Sequence, residues 1–133
     1  MINSINLCQK RYSSLKIKII ILDDSSREEN LDKIKEIIKD VNGEIIPLDT
    51  KKFETKIKKQ KTQETFSNLA SLLKCFEIGK EIGEDLIFFV EDDYLHFETM
   101  LEEMIATYER VSSQGGKDIF MCPAGHIKIS LPT

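Results

Sequence analysis

The hydrophobic pattern of the chain alternates between short apolar runs and longer stretches with an apolar residue every three or four positions. Two runs, 17–22 and 86–90, consist mainly of isoleucine, leucine, valine and phenylalanine. Such runs predict strands buried on both faces, as in the parallel sheet of a layered α/β protein. Residues 44–48 predict a further short strand, 118–122 another, and 127–131 are a candidate for a fifth.

Helical spacing of apolar residues predicts helices between these strands. They cover about 2–12, 26–39, 65–83 and 98–111. Ser25 and Ser26 are good N-cap residues for the second helix, with Glu28 or Glu29 completing a capping box. Thr62, Thr65 or Ser67 can cap the third helix, and Gly79 and Gly83 mark its fraying end. Asn42-Gly43 is expected to end the second helix with left-handed geometry, and Gln114-Gly115-Gly116 to end the last helix. Strand, helix and strand then form a right-handed βαβ unit.

Residues 51–63 are rich in lysine and show no persistent hydrophobic period. Segments of this composition are usually solvated loops or disordered, and we expect the same here. The functional alternative is a mobile basic loop that closes on phosphate groups.

The composition is that of a globular chain and argues against several classes of protein. A length of 133 residues suits one domain, 1–133, and 41% hydrophobic with 32% charged residues are ordinary values. The net charge of −4 gives no basis for nucleic-acid binding. Cys8, Cys75 and Cys122 lack zinc or disulfide spacing, so we expect reduced thiols in a cytoplasmic protein, the last two in the core. No stretch predicts a transmembrane segment.

Acidic residues directly follow two of the predicted strands. Asp23-Asp24 come after 17–22, and Glu91-Asp92-Asp93 come after 86–90. Because ligands of open parallel sheets bind beyond the carboxyl ends of the strands, both acid sets can reach one crevice. Adjacent carboxylates repel one another, and Mg²⁺ or Mn²⁺ would compensate for that repulsion and bridge phosphate oxygens. The alternative is a solvated acidic loop after a core strand.

A phosphoaspartyl receiver domain also opens with a strand that ends in two acids, as this chain does at Asp23-Asp24. Its phosphoacceptor lies one βαβ step further along the chain. Here Asp93 is 69 residues beyond Asp24, and Asp49 follows a proline-containing strand without the matching Thr and Lys pattern. The receiver interpretation is therefore the weaker one.

Other polar residues near the predicted strand ends have structural alternatives. His96 can ligate a metal or contact phosphate, but a helix cap or an ordinary polar contact is favoured. Asn68 can line the crevice or lie on an exposed helix face. His126 follows a predicted strand end, and Tyr94 is expected to serve packing.

The order of the motifs resembles the nucleotide-sugar glycosyltransferases of the GT-A fold, family-2-like. The resemblance covers roughly residues 5–126 and is carried by IIILDDSS, NLASLLKCFEIGKE and LIFFVEDDYLH. It implies a Rossmann-like three-layer α/β sandwich with a mostly parallel sheet of about four strands. It also implies transfer of a sugar from a nucleotide diphosphate sugar to an acceptor hydroxyl, on a glycan or a lipid-linked sugar.

The resemblance also assigns roles to the acids. Asp23, Asp24 and Asp92 would contact the nucleotide, while Asp93 and Glu91 would bind Mg²⁺ or Mn²⁺, which stabilises the departing diphosphate. Family members begin with an additional strand and continue into an acceptor half, and the sequence shows neither, so no catalytic base is assigned. The alternative is a non-catalytic nucleotide-binding or interaction fragment of such an enzyme.

Overall fold

The structure is a computed structural model that describes residues 1–91 and 96–121. Its elements are, in chain order, α1 (Ile2–Arg11), β1 (Ile19–Asp23), α2 (Glu28–Ile38), β2 (Gly43–Pro47), a 3-10 helix (Thr50–Phe53), α3 (Gln63–Ile82) and α4 (Met100–Gly115). The chain divides into two compact units. The central unit is Lys18–Val90, and the terminal unit combines Met1–Ile17 with the chain from Glu91 onward.

The central unit contains the predicted strand–helix–strand motif. β1 and β2 pair in parallel, with Ile21 opposite Ile45 and Asp23 opposite Pro47. The strands form where isoleucines are concentrated, because β-branched side chains pack well on a pleated, half-buried surface. Parallel strands need a crossover, and α2 supplies it. The predicted α/β class with parallel strands is confirmed.

Gly43 has a role other than the predicted helix stop. α2 ends at Ile38, and Gly43 is already the first residue of β2. The left-handed stop at Asn42-Gly43 is wrong, because neither residue has a positive φ. A Cβ on Gly43 would lie 2.9 Å from the Cβ of Ile38, which is itself buried. Glycine is needed here because the strand begins too close to the helix for a side chain.

A hydrophobic core forms where the chain leaves β2. Its buried members are Leu48, Phe53, Ile57 and Ala70, with Phe66 and Leu73 partly buried against them. The expected solvated or disordered loop at 51–63 is therefore wrong for part of its length. Phe53 and Ile57 lie four residues apart, and the N–H of Ile57 donates to the carbonyl of Phe53 at 2.9 Å. This turn points both side chains to one side, where α3 covers them.

α3 is the longest helix in the described residues, with 20 residues. Thr62 is its N-cap and accepts the N–H of Thr65 at 3.1 Å, which confirms one of the predicted caps. The helix runs past Gly79, a residue predicted to lie at its fraying end, and stops at Gly83. In the described ranges no helix is long and apolar enough to cross a bilayer.

Residues 86–90 fold back against the end of α3. The rings of Phe76 and Phe89 meet edge to face, with centroids 5.0 Å apart and planes inclined by 71°. Ile87 and Phe89 also approach Gly79 so closely that a Cβ there would lie 3.3 Å from each. Gly79 thus leaves room for this segment.

The segment 86–90 differs from the predicted buried strand. It joins no sheet ladder within the described residues, and Leu86, Ile87, Phe89 and Val90 are 39–50% exposed. The reason is that its contacts are with a helix end, and one face of a helix covers only one side of an extended segment. Residues 118–121 of the next predicted strand also form no strand, while Cys122 and 127–131 lie outside the described residues. The sheet of about four strands stays a prediction.

The terminal unit is built on the packing of α1 against α4. One face of α1 is buried through Ser4, Ile5 and Cys8. α4 ends as predicted, after Gly115, and its C-cap Gly116 has left-handed backbone angles (φ 60, ψ 28) and donates its N–H to the carbonyl of Ser112. Glycine tolerates this geometry without strain.

Candidate functional site

The candidate site in the central unit lies at the carboxyl edge of β1 and β2. Asp23 is the last residue of β1 and is opposite Pro47, the last residue of β2. The N–H of Leu48 donates to the carbonyl of Asp23 at 2.7 Å, which ties the chain leaving β2 to this edge. Asp23 and Asp24 are therefore placed where ligands of parallel α/β sheets bind.

The turn from β1 into α2 is held by the side chain of Asp23. Its two carboxylate oxygens lie 3.2 and 3.3 Å from the N–H of Ser26, which donates to them. Ser25 adopts a left-handed φ of 64° to make this turn. The predicted capping box is wrong, because α2 begins only at Glu28, after Arg27, and has no side-chain cap. Asp23 therefore stabilises the turn that precedes α2 and does not cap the helix itself.

Asp24 differs from Asp23 in that its carboxylate has no partner within the described residues. It is exposed and makes no hydrogen bond or ion pair with residues 1–91 or 96–121. A carboxylate accepts hydrogen bonds at several lone-pair positions, and all of them are available here. The donors of a nucleoside, such as ribose hydroxyls or base amino groups, match this acceptor.

The second acidic motif is described only at its first residue. Glu91 is exposed and belongs to the terminal unit, whereas Asp23 and Asp24 belong to the central unit. Asp92 and Asp93, the predicted nucleotide and metal contacts, lie outside the described residues. In the part of the chain that the structure describes, no three His, Cys, Asp or Glu side chains are grouped to hold a metal ion. Metal binding at 91–93 stays a prediction.

The remaining polar candidates are only partly described. His96 is half-buried ahead of α4, and its Nε2 is enclosed. Asn68 is exposed on α3, in agreement with the alternative that it lies on an exposed helix face. Tyr94 and His126 lie outside the described residues.

The two cysteines within the described residues provide no activated nucleophile. Burial raises the pKa of the Cys8 thiol and also that of Cys75. Both thiols are therefore protonated at neutral pH, and the thiolate is the reactive form. They are free cysteines, as predicted, although Cys75 is only half-buried.

The lysine-rich segment is the part of this edge that sequence reasoning underestimated. Lys52 lies 3.6 Å from Asp49, and Lys56 lies 2.5 Å from Glu77 and 5.4 Å from the ring centroid of Phe53. The hydrogen bond from Lys56 holds the pKa of Glu77 below its usual value. The spacing of Phe53 and Ile57, four residues apart, was the signal that this segment is ordered.

Comparison with known proteins finds no matching family model, no matching curated protein and no matching solved structure.

Proposed function

We propose that the chain is a glycosyltransferase-like domain that binds a nucleotide diphosphate sugar at the carboxyl edge of β1 and β2. The observation that carries this proposal is the carboxylate of Asp24, which has no partner within the described residues and lies beside the structured turn of Asp23 at the end of a parallel strand. In open α/β sheets this is the position at which nucleotides bind. The motif resemblance then suggests a sugar as the transferred group.

In this proposal each acid has one task. Asp24 accepts hydrogen bonds from the ribose or base, and Asp23 keeps the turn in place through Ser26. Asp92 is a further nucleotide contact, and Glu91 with Asp93 binds Mg²⁺ or Mn²⁺, which would stabilise the charge of the departing diphosphate. The reaction is transfer of the sugar to an acceptor hydroxyl of a glycan or lipid-linked sugar in the cytoplasm.

The proposal extends to the sheet. In a Rossmann-like sandwich of about four strands, residues 86–90 would be the third parallel strand, whereas in the described structure they pack on the end of α3. Two features support this assignment. Each described strand has one neighbour only, and 86–90 is rich in residues that favour strands while several of its side chains are exposed.

Thermal unfolding with ligand tests the nucleotide site. Uridine or guanosine diphosphate with Mn²⁺ should raise the melting temperature, since ligand at about 100 times its Kd stabilises the folded state by about 2.7 kcal/mol. Asp24→Asn should reduce the shift with nucleotide, and Asp93→Asn should remove its dependence on Mn²⁺. Asp40→Asn removes an equal charge from an exposed position elsewhere and should leave the shift intact. Equal shifts in all three variants would rule the site out.

A non-catalytic nucleotide-binding or interaction role is the second candidate. It is favoured by the exposed apolar side chains of α3 and 86–90, since such surfaces often mark contacts with other proteins. Acceptor-dependent release of nucleoside diphosphate from a panel of nucleotide sugars separates the two. If the chain turns over a nucleotide sugar and Asp93→Asn abolishes that turnover, the chain is a transferase. If it binds nucleotide without turnover, the second candidate is correct.

A further inference from the structure

We propose that the lysine-rich segment 51–61 is the phosphate-binding element of this chain and receives the di- or triphosphate group of a small ligand. The nucleotide identity of that ligand rests on the proposed function, but the attraction for a multiply charged phosphate does not. The segment contains six lysines and one glutamate, in a chain whose net charge is −4. The segment is thus positively charged, whereas the chain as a whole is negatively charged.

Placement is the first argument. The 3-10 helix begins at Thr50, three residues after β2 ends at Pro47. Because Leu48 bonds to Asp23, the segment starts at the edge that carries Asp24. Carboxylates match the hydrogen-bond donors of a nucleoside, and ammonium groups match its phosphates. The two ends of a nucleotide therefore find complementary groups at one edge.

Anchoring is the second argument. Phe53 and Ile57 are only 3% and 9% exposed and hold the segment to the core of the central unit. The N–H of Lys56 donates to the carbonyl of Phe53 at 3.0 Å, and the side-chain amide of Gln60 donates to the carbonyl of Lys58 at 2.6 Å. A backbone that is already fixed loses less entropy on binding than a flexible loop does.

The free charges are the third argument. Lys52 and Lys56 are neutralised in part by Asp49 and Glu77. The other four lysines are exposed and have no ion pair within the described part of the chain: Lys51, Lys58, Lys59 and Lys61. Like charges close together repel, and a multiply charged anion relieves that repulsion at several of them at once.

A small phosphate ligand fits this segment better than a membrane or a nucleic acid. Membrane-surface segments insert apolar side chains, and single-stranded nucleic acids stack on aromatic ones. The aromatic residue of the segment, Phe53, is committed to the core, and so is Ile57. The exposed part of the segment therefore carries charge, but no apolar side chain to insert into a membrane and no aromatic ring to stack on a base.

Titration calorimetry with inorganic tripolyphosphate, without metal, tests the proposal on the whole chain. The test variant replaces the four free lysines of the segment: K51Q, K58Q, K59Q and K61Q. The control removes the same charge from four exposed lysines elsewhere that also lack a described ion pair: K10Q, K16Q, K33Q and K80Q. The test variant should bind at least about tenfold more weakly, since each exposed charge pair contributes modestly and four are lost. The control should bind as the wild type does.

Four results would overturn the proposal, and the fourth would leave the proposed function intact. One is that the wild type does not bind tripolyphosphate, and another is that both variants lose affinity equally. The third is lysine-dependent binding to phosphatidylserine vesicles or to a single-stranded oligonucleotide that is tighter than binding of tripolyphosphate. The fourth is that the test variant still binds uridine diphosphate with Mn²⁺ as the wild type does. That result would leave the proposed function intact and overturn this inference. If the chain binds tripolyphosphate through these lysines but does not bind nucleotides, the proposed function is overturned and this inference stands.

Discussion

Ser4 is a small side chain with a specific structural task. It is 1% exposed, and its Oγ accepts the N–H of Leu101 at 3.0 Å. The first N–H groups of a helix have no partner within the helix, and Thr99, at the N-cap of α4, makes no side-chain hydrogen bond. Ser4 therefore caps α4 from a different helix. Arg11, on the same helix as Ser4, forms an ion pair with Glu102, the residue after Leu101.

Replacing Ser4 by alanine should destabilise the terminal unit. The hydroxyl is lost and the N–H of Leu101 remains without that acceptor, so we expect a loss of about 1 kcal/mol in the free energy of unfolding. Urea denaturation followed by far-UV circular dichroism measures it. Asn6→Ala on the exposed side of the same helix serves as the control and should cause no loss. Equal stability of the two variants would show that Ser4 is not a cap.

Single residues also show how far the sequence predicted the candidate site. The position of Asp23 and Asp24 at the end of a strand follows from the apolar run before them, and the structure confirms it. The task of Asp23 did not follow. Ser25 or Ser26 was expected to cap α2, but instead Asp23 accepts the N–H of Ser26 in the turn before the helix, because the backbone angles of that turn, which the residue types leave open, decide which groups meet.

At the scale of elements, glycine sets how closely the chain can approach α3. A Cβ on Gly83 would lie 2.5 Å from Cδ1 of Ile87 and 2.8 Å from its Cγ1, and it would also meet the carbonyl oxygen of Gly79. Gly115, at the end of α4, has no neighbouring atom within 4 Å of the same position. Gly83 is therefore needed for close contact, whereas Gly115, which precedes the left-handed Gly116, is not.

Alanine at these two positions should have opposite effects on stability. Gly83→Ala forces Ile87 and the helix end apart, and overpacking of this kind costs about 1–3 kcal/mol. Gly115→Ala meets no obstacle and removes glycine from a helix, which should stabilise by about 0.5–1 kcal/mol. Thermal unfolding of both variants gives the signs directly. A neutral Gly83→Ala would mean that 86–90 does not contact α3 in solution.

Elements with a local cause were predicted better than those that depend on a distant partner. α3 and its Thr62 cap follow from periodicity and cap chemistry within a few residues of sequence. Whether 86–90 enters a ladder depends on a neighbouring strand far away in the chain, because strand formation is set by packing and pairing rather than by the run itself. An apolar run of this length thus predicts contact with other apolar groups, and here the described contact is a helix end.

At the scale of the whole molecule, exposed apolar side chains are unevenly distributed. In the central unit all of the described ones except Ile37 lie on α3 and the segment that follows it: Leu69, Leu72, Phe76, Ile82, Leu86, Ile87, Phe89 and Val90. Each is at least 36% exposed. Scattered apolar residues are normal on a protein surface, but successive ones on two adjoining segments form a larger apolar area, which favours association. The neighbouring sheet adds strand edges that are free of partners within the described residues.

The isolated chain should therefore associate at micromolar concentration, with α3 at the contact. Sedimentation velocity over a concentration series measures the association, and replacing Leu72 and Ile82 together by glutamine should shift the chain towards monomer. Leu7 and Val111 are similarly exposed in the terminal unit, at 37% and 40%, and their joint replacement by glutamine removes comparable apolar surface as the matched control. We expect that control to associate as the wild type does. A wild-type chain that stays monomeric throughout the series, or a control that dissociates as readily as the α3 variant, would show that this apolar area does not drive association.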